Sequence, residues 1–473
     1  MTAKTHHLGH WIDGRTTVAV ADTIDVVDPT SGLTVATVSA GTDADVDDAV
    51  LAARRAFPAW AATSPEHRAK IMERLADELD TSAEAITSTI VAELGSPVSA
   101  TRAGQVAAPI ALARVFAEVG RTFPWTEEVG HSLVVREPLG VVGAITPWNF
   151  PLNQMMVKIG AGLIAGNTMV VKPPEAAPST ANILAEAAQR AGVPDGVLNI
   201  VHGTGAEAGQ AVAAHPDVDM VTFTGSTATG ALVAASAAGT VKRVSLELGG
   251  KSASIILDDA DLAAAAEATL SSAWFNSGQV CAAWTRLLVP RHLHDEVVDV
   301  LVAAAEQFRV GDPRDETTVL GPLVSETQRQ RVDTYIRRGV DDGARLVYGG
   351  AGRPEGLQHG AFVRPTIFAD VDPDSVIAQE EIFGPVLTVI AYRSEADAVA
   401  IANNSPYGLH GAVFGDPERA LAVARLLRTG QVDVNGAPFN PNAPFGGYKK
   451  SGYGREFGRY GVDEQLETKS IQQ

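Results

Sequence analysis

The sequence predicts an α/β protein with a parallel, doubly wound sheet and a second α/β unit. Three observations predict it. Between residues 140 and 248, short apolar β-branched runs alternate with helix-length runs, as in parallel strands joined by crossover helices. The alternation resumes, less regularly, between 254 and 428. The length of 473 residues exceeds what one simple core serves, so two or three domains are expected.

In order, 11–38 reads as short strands with turns at Asp13-Gly14, Asp28-Pro29 and Ser31-Gly32. The run 43–60 is an amphipathic helix with Val46, Val50, Ala53 and Phe57 on one face. Ser64-Pro65 caps the next helix, which turns Ile71, Leu75 and Leu79 inward. Helix continues to Leu94, ends at Gly95-Ser96-Pro97 and resumes over 98–119. The segment 121–136 reads as a hairpin excursion. Strands follow at 141–146, 168–171, 197–201, 218–222 and 243–248, with helices between them. In the second half, strands are expected at 254–257, 287–289, 345–348, 388–392 and 412–414. Helices are expected there at 262–275, 294–308, 326–340, 395–402 and 417–428, and Gly-rich 435–454 as loop.

Apolar residues make up 45% and charged residues 20%, the balance of a soluble globular protein. The net charge of −19, without a sizeable basic run, argues against nucleic acid or anionic membrane as partners. No apolar run has the length of a membrane span. One cysteine excludes an intrachain disulfide and a multi-cysteine metal site, HExxH is absent, and no metal is expected. Residues 1–11 hold His6, His7 and His10 but no signal-peptide core, so they read as a frayed polar tail on a cytoplasmic protein.

That cysteine, Cys281, follows an Ala-rich helical run and a turn at Gly278. A lone cysteine is usually a small buried hydrophobe. Just past a glycine turn, however, a thiol beside backbone N–H groups can be activated and paired with an oxyanion site. Glu247 lies between two leucines at a strand end, where burial would raise its pKa toward that of a base. Asn149, in the loop Pro147-Trp148-Asn149-Phe150-Pro151, could donate its amide to an oxyanion or merely serve the turn. Gly225 and Ser226 open a helix after a strand, a place for phosphate. The spacing is neither GxGxxG nor a complete P-loop, which disfavours ATP or GTP hydrolysis. Lys172 and Glu175 follow another strand end. A carboxylate there can hold ribose hydroxyls and repel a 2′-phosphate, which favours NAD over NADP; a solvated ion pair is the plainer reading.

Together these segments resemble the NAD(P)-dependent aldehyde dehydrogenase superfamily. The pieces are Thr146-Pro-Trp-Asn-Phe-Pro151, Lys172-Pro-Pro-Glu175, Phe223-Thr-Gly-Ser226 and Glu247-Leu-Gly-Gly-Lys251. Gly278-Gln-Val-Cys281, Glu381-Ile-Phe-Gly-Pro385, Pro444-Phe-Gly-Gly-Tyr-Lys449 and Ser451-Gly-Tyr-Gly-Arg455 continue them in the family's order. The resemblance implies a Rossmann-like NAD domain (1–119 and 139–250), a catalytic domain (251–459) and a small β oligomerisation element (120–138 and 460–473) of a homodimer or homotetramer. It implies Cys281 as nucleophile, Asn149 and the Cys281 N–H as oxyanion donors, and Glu247 as the base that releases an acid from a thioester. Lys158 would be a polar group near Glu247, and Glu456 a proton-relay candidate. Trp148, Lys172, Glu175, Gly225, Ser226, Glu381 and Phe383 would meet NAD. Phe150, Val157, Phe275, Val280 and Phe445 would line an apolar substrate tunnel, pointing to aliphatic or aromatic aldehydes over semialdehydes. Trp284 departs from the family, which commonly has a small residue there. The rival readings are coenzyme A acylation, for which a base such as Glu247 is generally lacking, and a cysteine hydrolase, which leaves the nucleotide-side residues unexplained.

Overall fold

A computed structural model describes residues 6–17 and 22–473. Its first large sheet runs, edge to edge, Gly452–Tyr453, Arg243–Glu247, Met220–Thr224, Val141–Ile145, Thr168–Lys172, Leu198–Ile200, His10–Ile12 and Arg15–Thr17. The strands from 141 to 247 are parallel and the remaining pairings antiparallel. Val141–Ile145, Thr168–Lys172 and Met220–Thr224 are buried at every residue, because helices cover both faces of the sheet. Val141–Ile145 is the first of the parallel strands in the chain but lies centrally, with Met220–Thr224 on one side and Thr168–Lys172 on the other. The winding therefore reverses between Val141–Ile145 and Met220–Thr224, leaving a crevice beyond their carboxyl ends.

The second sheet runs Arg345–Tyr348, Thr366–Ala369, Val386–Tyr392, Arg286–Pro290, Ala253–Ile256, Gly411–Phe414 and Asp433–Val434, parallel except at its first pairing. A separate antiparallel sheet joins Thr126–Val129 and Ser132–Pro138 to Leu466–Gln472, in register from Pro138↔Leu466 to Ser132↔Gln472. His6–Leu8, Thr34–Ser39 and Thr23–Val27 form a fourth sheet.

Local signals behave as their chemistry requires. Thr42 and Asp45 form a capping box on Asp43–Ala61, and Ser64 caps Pro65–Thr81. Gly95 ends Ala83–Leu94 at φ +76°, a conformation costly for other residues.

Four expectations are corrected. His10 is no part of a frayed tail: it has no exposed surface, lies in a strand, and its Nδ1 accepts the His202 N–H at 3.1 Å. Residues 1–5 of that expected tail, and 18–21 of the expected strands, lie outside the described residues. The expected loop 435–454 contains the short helix Lys449–Ser451 and the strand Gly452–Tyr453. That strand hides from sequence because pairing uses backbone; Gly452, at φ +111°, sits where a Cβ would come within 1.9 Å of the Leu246 carbonyl oxygen. The helix from Pro417 stops at Ala424, and Thr366–Ala369 was not foreseen at all.

Candidate active site

The carboxyl ends of the first sheet face the loops that enter the second, across a cavity of about 280 Å³. Pro147, Trp148 and Asn149 follow Val141–Ile145; Thr224, Gly225 and Ser226 follow the neighbouring strand; Leu248 and Gly249 follow Arg243–Glu247. Cys281, Gln328, Arg331, Glu381 and Phe383 complete the wall.

Cys281 is presented by an unusual turn. Asn276, Ser277 and Gly278 are left-handed in succession, at φ +50°, +57° and +74°. Asparagine tolerates this conformation, serine less well, so surrounding bonds must enforce it. The Ser277 hydroxyl donates to the Gly321 carbonyl at 2.9 Å, and Gln279 Nε2 to the Asn276 carbonyl at 3.0 Å. Gly278 is pressed on Gly384, whose carbonyl a Cβ would meet at 2.2 Å. Asn149 joins the network: its Nδ2 donates to the Gln279 carbonyl at 3.0 Å, while its own carbonyl accepts from Asn276 Nδ2 at 2.9 Å. One amide N–H is thus spent on orientation; the second has no partner among the described residues, and Asn149 lines the cavity. The half-buried Cys281 thiol is not activated by its N–H neighbours alone. Burial pushes it up to about 12, the carboxylates of Glu381 and Glu247 add to this, and hydrogen bonds from the Ala282 and Cys281 N–H groups oppose it. A thiol here needs a base or a nearby positive charge to ionise.

Glu247 is 4% exposed and neither carboxylate oxygen has a hydrogen-bond partner. Burial, then the charge of Glu456, raises its pKa well above the usual carboxylate range. Lys158, wholly buried in the helix Pro151–Ala165, pairs with Glu456 and partly offsets that effect.

Along the same sheet edge, Ser226 caps Thr227–Ala238, accepting the Thr229 N–H at 3.2 Å, and stays exposed. Lys172 Nζ meets Glu175 at 3.1 Å, and the other Glu175 oxygen accepts the Gly205 N–H at 2.6 Å. Burial pushes Glu175 up, but Lys172 and these bonds outweigh it and hold the carboxyl low. Glu381 accepts the Gly250 N–H at 2.9 Å; burial nevertheless raises it to about 6. Phe383, left-handed at φ +63°, stands edge-on to Trp148 with ring centres 5.4 Å apart, and its carbonyl accepts Gln328 Nε2 at 2.9 Å.

The five expected tunnel residues lie outside this cavity's lining. Phe150 and Phe275 stack on each other at 5.9 Å, and Phe445 packs with Phe439 and Phe457. Val280 is half-buried beside Cys281, and Val157 lies within the core, 1% exposed. Trp284 points away from the site, into the second core against Phe414, and donates to His410 Nδ1 at 3.2 Å. Sequence reasoning missed Gln328 and Arg331. They are one turn apart on the polar helix Glu326–Asp341, and nothing in their local pattern distinguishes them from solvent-facing residues.

The aldehyde dehydrogenase family model matches residues 16–471. A 3-succinoylsemialdehyde-pyridine dehydrogenase from Pseudomonas sp is 48% identical over 450 residues, 94% of each chain. Among solved structures, a mutant aldehyde dehydrogenase C from Pseudomonas syringae, in complex with NAD+ and octanal, is 45% identical with a TM-score of 0.97, over 99% of this chain and 98% of that one. An aldehyde dehydrogenase from Mycobacterium tuberculosis in complex with NAD+ is 44% identical, also with a TM-score of 0.97, over 99% of both chains. Matched over nearly its whole length, this chain belongs to the aldehyde dehydrogenase family and is an oxidoreductase acting on aldehydes.

Proposed function

We propose that the cleft oxidises an aldehyde to its carboxylic acid with NAD, by covalent catalysis at Cys281. One observation carries this reading. A thiol and an oriented amide line one cavity, and a buried carboxylate without partners lies immediately behind it. The wall also suits a dinucleotide. The N-terminus of a 12-residue helix at Ser226 matches a pyrophosphate, and the carboxylates of Glu175 and Glu381 match ribose hydroxyls.

The Cys281 proton passes to a base, and Glu247, with its raised pKa, is matched to that task. Sγ then bonds the carbonyl carbon, and the free Asn149 N–H donates to the oxyanion. When bound, NAD supplies the acceptor for the hydride whose loss turns the adduct into a thioester. Once Glu247 has released the cysteine proton to solvent, it takes a proton from water, the water oxygen attacks the thioester carbon, and Cys281 departs as thiolate with release of the acid. Glu247 favours hydrolysis over acyl transfer to coenzyme A. Lys158 and Glu456 tune Glu247 by their charges.

The substrate is read as an aliphatic or aromatic aldehyde, on the aromatic pair Phe150–Phe275 that adjoins the cysteine turn. A semialdehyde is the second reading, favoured by the name of the Pseudomonas relative. Glu175 favours NAD over NADP. Residues 1–119 with 139–250, 251–459, and 120–138 with 460–473 are read as the cofactor, catalytic and oligomerisation parts. The exposed strand Thr126–Val129 gives the last an edge for a second copy, in a dimer or tetramer. A reaction needing a reduced thiol suits the cytoplasm.

The test is NADH formation at 340 nm with acetaldehyde, hexanal, benzaldehyde and succinate semialdehyde, with NAD or NADP and with or without coenzyme A. Activity without coenzyme A that Cys281→Ala abolishes is expected. Undiminished activity in that variant would end the covalent reading.

A further inference from the structure

A second, smaller cavity lies at the amino edge of the second sheet, where Lys251 and Ser252 lead into Ala253–Ile256 and Arg286 opens the next strand. Its volume of about 20 Å³ admits one water-sized body. Its wall is basic: Lys251, Arg286, His410 and Arg428 contribute to it, and none of its lining residues is acidic.

Four buried polar atoms of this wall have no hydrogen-bond partner: Lys251 Nζ, Ser252 Oγ, Thr429 Oγ1 and His410 Nε2, the last of which faces the Asp433 carboxylate at 3.1 Å. Lys251 is 2% exposed. Arg286, also 2% exposed, spends its guanidinium on the backbone carbonyls of Lys251, Ile401 and Ala402 at 2.8, 3.1 and 2.9 Å. Those are dipoles, not counter-charges. Among the described residues no carboxylate lies within ion-pair distance of either side chain. Two neighbouring buried cations without a counter-ion are unfavourable, and proteins pair such charges or neutralise them. A water would satisfy the hydroxyls but leave the positive charge uncompensated.

We propose that this cavity binds one halide-sized monovalent anion, such as chloride, against Lys251 Nζ, with the Ser252 and Thr429 hydroxyls donating to it. Arg286 and Arg428 supply the surrounding positive field, and the exposed Arg428 stands at the entrance. Such an anion keeps Lys251 charged; otherwise burial, then Arg286, pulls the amine down to about 7, an effect that Glu381 and Glu380, beyond ion-pair distance, offset only in part. The site has a bearing on the cleft. Lys251 follows Gly250, whose N–H holds Glu381 and whose Cα is packed so closely on the Cys281 carbonyl that a Cβ would lie 2.3 Å from it.

The full-length protein is crystallised in sodium bromide and anomalous diffraction is collected at the bromine edge. A peak in this cavity in the wild type, absent in Lys251→Met, is the expected result. An anomalous-silent cavity, or a peak that persists in Lys251→Met, would overturn the proposal. Should Lys251→Met fail to fold, Thr429→Val takes its place, with an expected loss of at least half the peak height and an unchanged peak overturning the proposal. In solution at constant ionic strength, the wild type should melt several degrees higher in chloride than in gluconate, which is too large for the cavity. Equal melting temperatures would count against the site just as directly.

Discussion

Asn149→Ala separates the two tasks that the structure gives one amide. Asn149 Nδ2 orients the cysteine loop through the Gln279 carbonyl at 3.0 Å, and in the proposed reaction its second N–H stabilises the oxyanion. The substitution spares the bond from Asn276 Nδ2 to the Asn149 backbone carbonyl, so one tie between the cysteine turn and the 147–150 loop survives. Leaving the buried Gln279 carbonyl unpaired costs about 1–3 kcal/mol of stability. Losing one oxyanion donor costs about 3–4 kcal/mol of barrier, or roughly 10²- to 10³-fold in kcat. The two losses have different readouts. Chemical denaturation reports the first, and the pre-steady-state rate of NADH formation, before thioester hydrolysis, reports the second. Asn149→Asp keeps the shape, removes both donors and adds a negative charge beside the developing one, so its rate should fall at least as far. If Asn149→Ala slows NADH formation less than tenfold while losing the expected stability, Asn149 is a prop for the loop and the oxyanion reasoning fails.

Glu247→Gln removes the base of both steps, so formation of the first NADH should slow and steady-state turnover should fall roughly 10²- to 10⁴-fold; normal turnover would remove Glu247 as the hydrolytic base. A base works only when ionised, so wild-type turnover should rise with pH through the raised Glu247 pKa. Glu456→Gln removes a charge that raises it, and should move that limb to lower pH; a shift upward would contradict the electrostatic picture. Glu381, at about 6, should lose its charge below that pH, so the KM for NAD should climb in acid while remaining flat from pH 7 to 8. Gly278→Ala combines a positive φ with a collision on Gly384, and should cost about 2–5 kcal/mol in thermal or denaturant unfolding.

The first sheet was legible because crossover helices impose a repeating strand–helix rhythm, and Val141–Ile145, Thr168–Lys172 and Met220–Thr224 each carry the apolar run of a strand buried on both faces. The site residues were legible as chemistry and as an ordered set. Nothing in the chain states that Asn149 would hold the Gln279 carbonyl 130 residues away. Gln328 and Arg331 escaped because a helix face turned to a cleft reads like one turned to water. Gly452–Tyr453 escaped because two residues paired through backbone leave no side-chain pattern. His10 was misread because a buried histidine in a three-residue strand, covered on its outer side by Arg15–Thr17, has the composition of a polar tail.

Gly452–Tyr453 also bears on how the cleft can move. The chain leaves the second sheet and returns to donate an edge strand to the first, so the two halves are laced together rather than joined by a single linker. Ser451 stands at the crossing point: its carbonyl accepts the Leu248 N–H at 3.0 Å, its hydroxyl donates to the Gly249 carbonyl at 2.6 Å and accepts the Gly408 N–H at 2.9 Å. A clam-shell rotation would have to break this knot of buried bonds, beside the very glycines that line the cavity. The halves therefore behave as one rigid frame, and traffic through the cleft falls to side chains and loops, on nanosecond to microsecond timescales instead of those of a hinged domain.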